Sequence, residues 1–286
     1  MHHIQVKGIL SAHDGMNLYR GCTHGCIYCD ARSDRYRTED RPFEDIAVKQ
    51  DALALLEDAL RRKRRACMIG TGSMTDPYLP LERTLGLTRG ALALIDRYGF
   101  GATLQTKSAD VLRDLDLLRS IHAKTKCVVQ MTLTTADEAL CRQIEPHVST
   151  TQERVAALHA LHAAGIPTVV WLSPILPFLN DTVENVRAIL AQCADAGVWG
   201  VLCFGMGVTL RAGSRSWFYR NLDRLFPGLK ERYVRTYGDR YYLGSPREAT
   251  LMRLFHETCE AYGLVHDNDR IFAYLSTLDE PQMSLW

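Results

Sequence analysis

The stretch Thr150-Thr151-Gln152-Glu153-Arg154-Val155-Ala156-Ala157-Leu158-His159-Ala160-Leu161-His162-Ala163-Ala164-Gly165, with Thr168-Val169-Val170-Trp171-Leu172 just beyond it, spells one helix and one strand with their punctuation. Thr150 and Glu153 form a capping-box pattern, in which each side chain satisfies an N–H that the helix start leaves orphaned. Gly165 stops the helix, because glycine enters the left-handed conformation past a helix end without steric cost. The apolar run that follows has strand length and no polar face. It therefore belongs in a sheet covered on both sides.

The same alternation extends in both directions. Runs of strand length lie at residues 15–20, 66–69, 102–105, 127–133 and 200–204. Between them, residues 45–65, 84–98, 109–123 and 182–196 carry apolar side chains at three- and four-residue spacing, the mark of a helix with one buried face. Asp181 with Glu184 repeats the capping-box pattern, and Gly197 repeats the stop. Strands alternating with helices imply a parallel sheet, and six such units fall short of a closed eight-stranded barrel. The expected fold is α/β: a partial (β/α)6 TIM-like barrel over residues 1–213. From residue 214 the alternation ends and aromatics become dense, so residues 214–286 read as a mainly helical C-terminal extension packed on the barrel, not as an independent domain. In such folds, sites gather at the C-terminal ends of the strands.

Composition narrows the class. The 286 residues are 47% hydrophobic and 23% charged, as in ordinary globular proteins. A net charge of +1 exerts no general pull on nucleic acid or anionic membrane, although residues 206–256 hold ten Arg and Lys against four acids. The first seven residues lack the features of a secretory signal, and no apolar run approaches the roughly 18 residues a membrane span needs. A cytoplasmic protein without membrane partners is expected. Nine cysteines, an odd number in a long chain, do not suggest a disulfide framework. Cys67, Cys127, Cys193 and Cys203 sit in apolar stretches, and Cys141 and Cys259 in helical ones, where cysteine acts as a small hydrophobe.

The other three cysteines differ. Gly21-Cys22-Thr23-His24-Gly25-Cys26-Ile27-Tyr28-Cys29 places C-x3-C-x2-C directly after the first strand. Thiolates are soft ligands for zinc or for iron–sulfur clusters, and Gly21 and Gly25 give the loop the freedom to curl around a metal centre. A zinc ribbon would show a second C-x2-C knuckle, and none follows. A Cys3His zinc site completed by His24 or His13, in a non-catalytic interaction module, is the alternative from a different class. Three thiolates on a four-iron cluster leave one iron open for a ligand that is not protein.

C-x3-C-x2-C with an aromatic before the third cysteine resembles the signature of the radical S-adenosylmethionine (SAM) superfamily, with Tyr28 in the aromatic position. Asn17–Cys22, Thr75-Asp76-Pro77-Tyr78-Leu79-Pro80-Leu81-Glu82, Thr106-Lys107-Ser108, Glu145-Pro146 and Arg154 resemble the spore photoproduct lyase-like branch. The resemblance implies a [4Fe–4S] cluster on Cys22, Cys26 and Cys29, SAM as co-substrate, and a low-potential electron donor of the flavodoxin or ferredoxin type. It also implies reductive cleavage of SAM to a 5′-deoxyadenosyl radical that abstracts hydrogen from a substrate still to be identified, with a nucleic acid or nucleotide as the alternative. Lys107 would then neutralise the SAM carboxylate, Thr132 and Thr134 would reach the ribose, Arg154 would meet a carboxylate, and Ser173 would present backbone to adenine. Tyr28 joins this cofactor-binding set.

Asp76, Tyr78 and Ser73 are the candidate catalytic residues after the second strand. In the lyases proper, the resemblance places a hydrogen-donating cysteine where this chain has Ser73, and a tyrosine where it has Asp30. A serine O–H bond is far stronger than a thiol S–H bond. Repair of the thymine photoproduct is therefore not expected, and the final hydrogen would come from re-formed SAM, a tyrosine such as Tyr78 or an external reductant; were repair found, Cys67 would be the first thiol to take that role.

Overall fold

The computed structural model describes residues 1–36 and 41–278, so the end of the C-terminal extension lies outside the described residues. Six strands form one parallel sheet in strict chain order: β1 (Gly15–Met16), β2 (Met68–Thr71), β3 (Gly101–Thr106), β4 (Cys127–Thr132), β5 (Thr168–Trp171) and β6 (Gly200–Leu202). Every residue of β4 is buried, which accounts for its uninterrupted apolar reading. Helices Ala52–Arg62, Leu87–Tyr98, Leu115–Lys124, Thr151–Ala163 and Val183–Asp195 connect successive strands. This is the partial-barrel α/β architecture that the alternation implies.

Several boundaries differ, each for a local reason. Helix 45–65 begins only at Ala52. Ile46, Ala47 and Val48 are buried, and Ala47–Lys49 is a strand that pairs with His2–Ile4 on one side and Tyr19–Arg20 on the other. The expected first strand is accordingly split: Gly15–Met16 joins the main sheet and Tyr19–Arg20 joins this small one. Gly86, with φ +63, interrupts helix 84–98, leaving Glu82–Leu85 before the break. The 109–123 helix opens with a 3-10 segment, Ala109–Asp114, capped by the Ser108 hydroxyl.

The capping box of Thr150 and Glu153 is formed. That of Asp181 and Glu184 is not. Thr182 caps the helix by accepting from Asn185 N–H at 3.1 Å, while the Asp181 carboxylate accepts from Phe178 N–H and the Ser245 hydroxyl.

After β6 the chain forms helices Ser214–Leu225, Leu229–Tyr237, Glu248–Tyr262 and Asn268–Ser276. One element breaks the helical run: Tyr242–Gly244 is a strand antiparallel to Gly207–Thr209, so it crosses the boundary at residue 213. Phe218, Leu222, Tyr233, Tyr237 and Leu243 share a core with Cys26, Ile27 and Tyr28 of the cysteine loop. The C-terminal part thus packs on the loop that opens the barrel. No helix among the described residues is long and apolar enough to cross a membrane.

Candidate functional site

The cysteine loop leaves β1 and is pinned by backbone bonds to three other segments. Cys22 N–H donates to Phe43 C=O, Ile27 N–H to Ile144 C=O, and His147 N–H to His24 C=O, at 3.0–3.1 Å. The Trp217 indole N–H adds a bond to Cys26 C=O at 3.1 Å. Gly21 must be glycine: its φ is +82, and a Cβ would stand 2.3 Å from Phe43 O. Cys22, Cys26 and Cys29 all line one cavity of roughly 360 Å3 at the C-terminal ends of the strands.

Each of the strands β2–β6 delivers residues to that cavity just past its end: Gly72 and Ser73 after β2, Lys107 after β3, Thr132 at the end of β4, Ser173 after β5, and Phe204 and Gly205 after β6. Gly72 carries φ +99, and a Cβ there would overlap Gln105 O at 1.8 Å. Bare backbone at this point lets β2 and β3 converge on the cavity floor.

Asp76 braces that convergence. One carboxylate oxygen accepts from Tyr78 N–H at 2.9 Å and the Thr106 hydroxyl at 2.7 Å, and the other accepts Lys107 N–H at 2.7 Å. His24 Nδ1 lies 3.5 Å from the latter oxygen. Held this way, the Lys107 ammonium faces the cavity without a hydrogen-bond or ion-pair partner among the described residues. Burial works to lower its pKa, but the acidic groups around it, Cys26 when ionised and the Glu145 and Asp76 carboxylates, outweigh burial and raise it. It remains a cation.

Burial pushes the three thiols the other way. Cys22 is raised to about 12 and Cys26 well above its ordinary value, so a thiolate there needs a nearby cationic centre. Among the described residues no three His, Cys, Asp or Glu side chains converge on a single ion. The three thiols face one cavity, and thiolates are ligands for either zinc or an iron–sulfur cluster.

Behind the loop, Arg154, Glu145 and Tyr28 form a buried network. Arg154 Nη2 lies 2.5 Å from Glu145 Oε2, Nη1 donates to Thr132 C=O at 2.7 Å, and the Tyr28 hydroxyl donates to Glu145. Arg154 does have the carboxylate partner its position demands, but that partner comes from its own chain. Neither Arg154 nor Thr134 lines the cavity; Thr134 is buried, 3.4 Å from Glu145 Oε1. Tyr78 is also turned away. It lies in the main core with the Arg113 guanidinium 5.5 Å from its ring centre. Cys67 sits before β2, at the opposite end of the strand from Ser73, with its thiol 3.2 Å from Asp14 Oδ2.

The structure also brings in residues that the sequence did not single out for the site. Phe204, 55% exposed, and Tyr242, 38% exposed, line the cavity, along with Met74 and Gln105. Several cations of the basic 206–256 stretch have internal partners. Arg215 donates to the carbonyls of Leu210, Gly238, Asp239 and Arg240, Arg211 meets Asp30 and the Tyr241 hydroxyl, Lys230 pairs with Asp223, and Arg232 covers the Phe178 ring. Much of that charge excess holds the fold.

Known proteins align with this geometry. Over 233 residues the chain is 34% identical to the uncharacterized protein Rv2578c of Mycobacterium tuberculosis, covering 80% of this chain and 68% of that protein. Among solved structures, a spore photoproduct lyase mutant with dinucleoside spore photoproduct superposes with a TM-score of 0.64 over 93% of this chain and 80% of that one, at 16% identity. A double mutant of the same enzyme with bound AdoMet and dinucleoside spore photoproduct gives 0.61 over 87% and 74%, at 17% identity. At such identities the likeness is one of fold. Residues 16–193, from β1 through the helix after β5, match the sequence profile of the Radical SAM superfamily, and the chain belongs to that family.

Proposed function

We propose that this protein is an enzyme that cleaves SAM reductively and uses the product radical to take hydrogen from a substrate. The observation that carries this reading is the shared cavity, where the three thiols of one loop and the unpaired Lys107 ammonium face the same space. Cys22, Cys26 and Cys29 would hold a [4Fe–4S] cluster. When bound, cluster and SAM supply a 5′-deoxyadenosyl radical once a low-potential donor of the flavodoxin or ferredoxin type delivers an electron.

The protein's own residues bind, orient and exclude. Lys107 neutralises the SAM carboxylate with a charge-assisted contact. Thr132 and the Ser173 backbone, at adjacent strand ends, meet ribose and adenine. Asp76 is a positioning residue: by accepting the Thr106 hydroxyl and Lys107 N–H it fixes where the ammonium points. Arg154 and Tyr28 position the cysteine loop through Glu145; Arg154 lies outside the cavity, whereas Tyr28 lines it. Ser73, exposed at the cavity edge, presents a hydroxyl and no thiol, so the reading does not extend to photoproduct repair.

Anaerobic reconstitution followed by incubation with SAM and dithionite tests the proposal. About four irons per chain and formation of 5′-deoxyadenosine are expected, both lost on replacing any of the three cysteines with Ala. Zinc that iron cannot replace under anaerobic conditions would overturn it. Lys107→Ala should keep the iron and weaken SAM binding by about 1.5–3 kcal/mol, the value of a hydrogen bond to a charged group.

A further inference from the structure

Tyr242 and Glu248 form a phenol–carboxylate pair on the open wall of the cavity. The Tyr242 hydroxyl donates to Glu248 Oε1, which also accepts Met206 N–H at 3.1 Å. The backbone around the pair is bare at three points. A Cβ on Gly205 would stand 2.5 Å from the phenol oxygen and 2.8 Å from Glu248 Oε1; one on Gly207 would stand 2.7 Å from the Tyr242 ring, and one on Gly244 2.4 Å from Glu248 Oε2. Three glycines thus make room for one side-chain pair. Burial, with the Glu248 charge adding to it, raises the phenol pKa, so the O–H stays intact at neutral pH.

Where a radical reaction ends with hydrogen returned by the protein, the donor X–H bond must be weaker than the C–H bond formed, and the thiol and the phenol are the side chains that offer one. The cavity-lining thiols are the three assigned to the cluster. Both tyrosines in the lining donate to a carboxylate, but Tyr28 is buried behind the cysteine loop whereas Tyr242 keeps 38% exposure. Tyr78 and Cys67 face elsewhere, and the Ser73 O–H is too strong.

We propose that Tyr242 is the hydrogen-atom donor that quenches the carbon radical, with Glu248 as its positioning residue. This rests on the radical-generating reading above. In the step, the phenol O–H breaks homolytically and the new C–H bond forms on the carbon radical, leaving a tyrosyl radical. One electron from the same low-potential donor and one proton from water then restore the phenol.

The test uses the reconstituted full chain with SAM and dithionite in D2O, without added substrate. The exchanged phenol then delivers deuterium to the 5′-deoxyadenosyl radical, and mass spectrometry of the 5′-deoxyadenosine reads it. Wild type should give monodeuterated product and a freeze-trapped tyrosyl signal in electron paramagnetic resonance. Tyr242→Phe should retain its iron, lose that signal and lower the deuterated fraction severalfold. Glu248→Gln should lower it less, because the amide oxygen still accepts a hydrogen bond. Label that survives in Tyr242→Phe, or that disappears in Cys203→Ser, overturns the assignment, since the buried Cys203 thiol follows β6 close by. Product without deuterium in wild type overturns it as well. Absence of 5′-deoxyadenosine altogether overturns the radical reading itself, and the assignment with it.

Discussion

The protein builds the same three-residue arrangement twice, and the two copies differ chiefly in their access to water. In one, the Tyr19 hydroxyl donates to Glu82 and Arg113 Nη2 stands 3.1 Å from the same carboxylate. In the other, Tyr28 donates to Glu145 and Arg154 closes on it from behind. Arg113 is 30% exposed and has a second acid, Asp114, at 2.9 Å. Arg154 is wholly buried, and Glu145 is its only acid partner among the described residues. Compensation of the carboxylate is therefore shared with solvent and a neighbour in the first network. In the second it depends on the Arg154 guanidinium in direct contact, directly behind the cysteine loop, with the Lys107 charge acting from farther away.

The largest effect should follow from breaking the dry copy. Arg154→Met removes the one ion-pair partner of buried Glu145 among the described residues and leaves only the longer-range charge of Lys107, a loss of about 3–5 kcal/mol, and unlocks Tyr28 between Cys26 and Cys29. The urea midpoint and the iron retained after reconstitution should fall together. Arg113→Met, in the wetter copy, should cost only about 1–3 kcal/mol and leave the iron content intact. Equal costs would show that burial does not separate the networks.

Acid sharpens the contrast further. Arg154 and Lys107 hold the Glu145 carboxyl below its ordinary pKa, against the opposing effect of burial. A carboxyl depressed in the folded state contributes its full stability above its unfolded pKa, about 4.3, and loses it as pH falls through the folded value. Urea midpoints of Glu145→Gln should accordingly be lower at neutral pH but flatter through the acid limb than those of wild type. A parallel decline would remove Glu145 from the acid response.

Smaller effects separate the tyrosines. Tyr19→Phe and Tyr28→Phe each delete one hydrogen bond to a carboxylate and should cost about 1.5–3 kcal/mol in thermal or urea unfolding. Only Tyr28→Phe should also alter the electronic absorption of the reconstituted cluster, since Tyr28 lies between two of its ligands. Identical spectra would reduce Tyr28 to a packing residue.

What the sequence made legible were the features set by local rules. Buried parallel strands read as apolar runs, Gly165 and Gly197 sit at left-handed φ just past their helices, and the cysteine spacing marks the loop. Where two elements abut, the pattern blurs: residues 47–49 merge into the helical period of the helix that follows, and their pairing with His2–Ile4 and Tyr19–Arg20 makes them a strand. Arg154 at a helix start calls for an acid, but nothing local says whether that acid is a ligand's or the chain's own Glu145. Tyr242 was hidden for a similar reason. In a stretch crowded with aromatics it reads as core, and the informative signal is the glycine spacing at Gly205 and Gly207 that clears space beside it.

Because the sheet is laid down in chain order, the cavity also has a history in time. The cysteine loop is made early, whereas the strand that carries Tyr242 is made late and pairs back onto Gly207–Thr209. At about 5–20 residues per second, synthesis from Cys29 to Tyr242 takes on the order of ten to forty seconds. During that interval the thiols stand beside an unfinished wall, open to oxidants and to any carrier that delivers iron. The late strand therefore also ends the interval in which the thiols stand without their full wall.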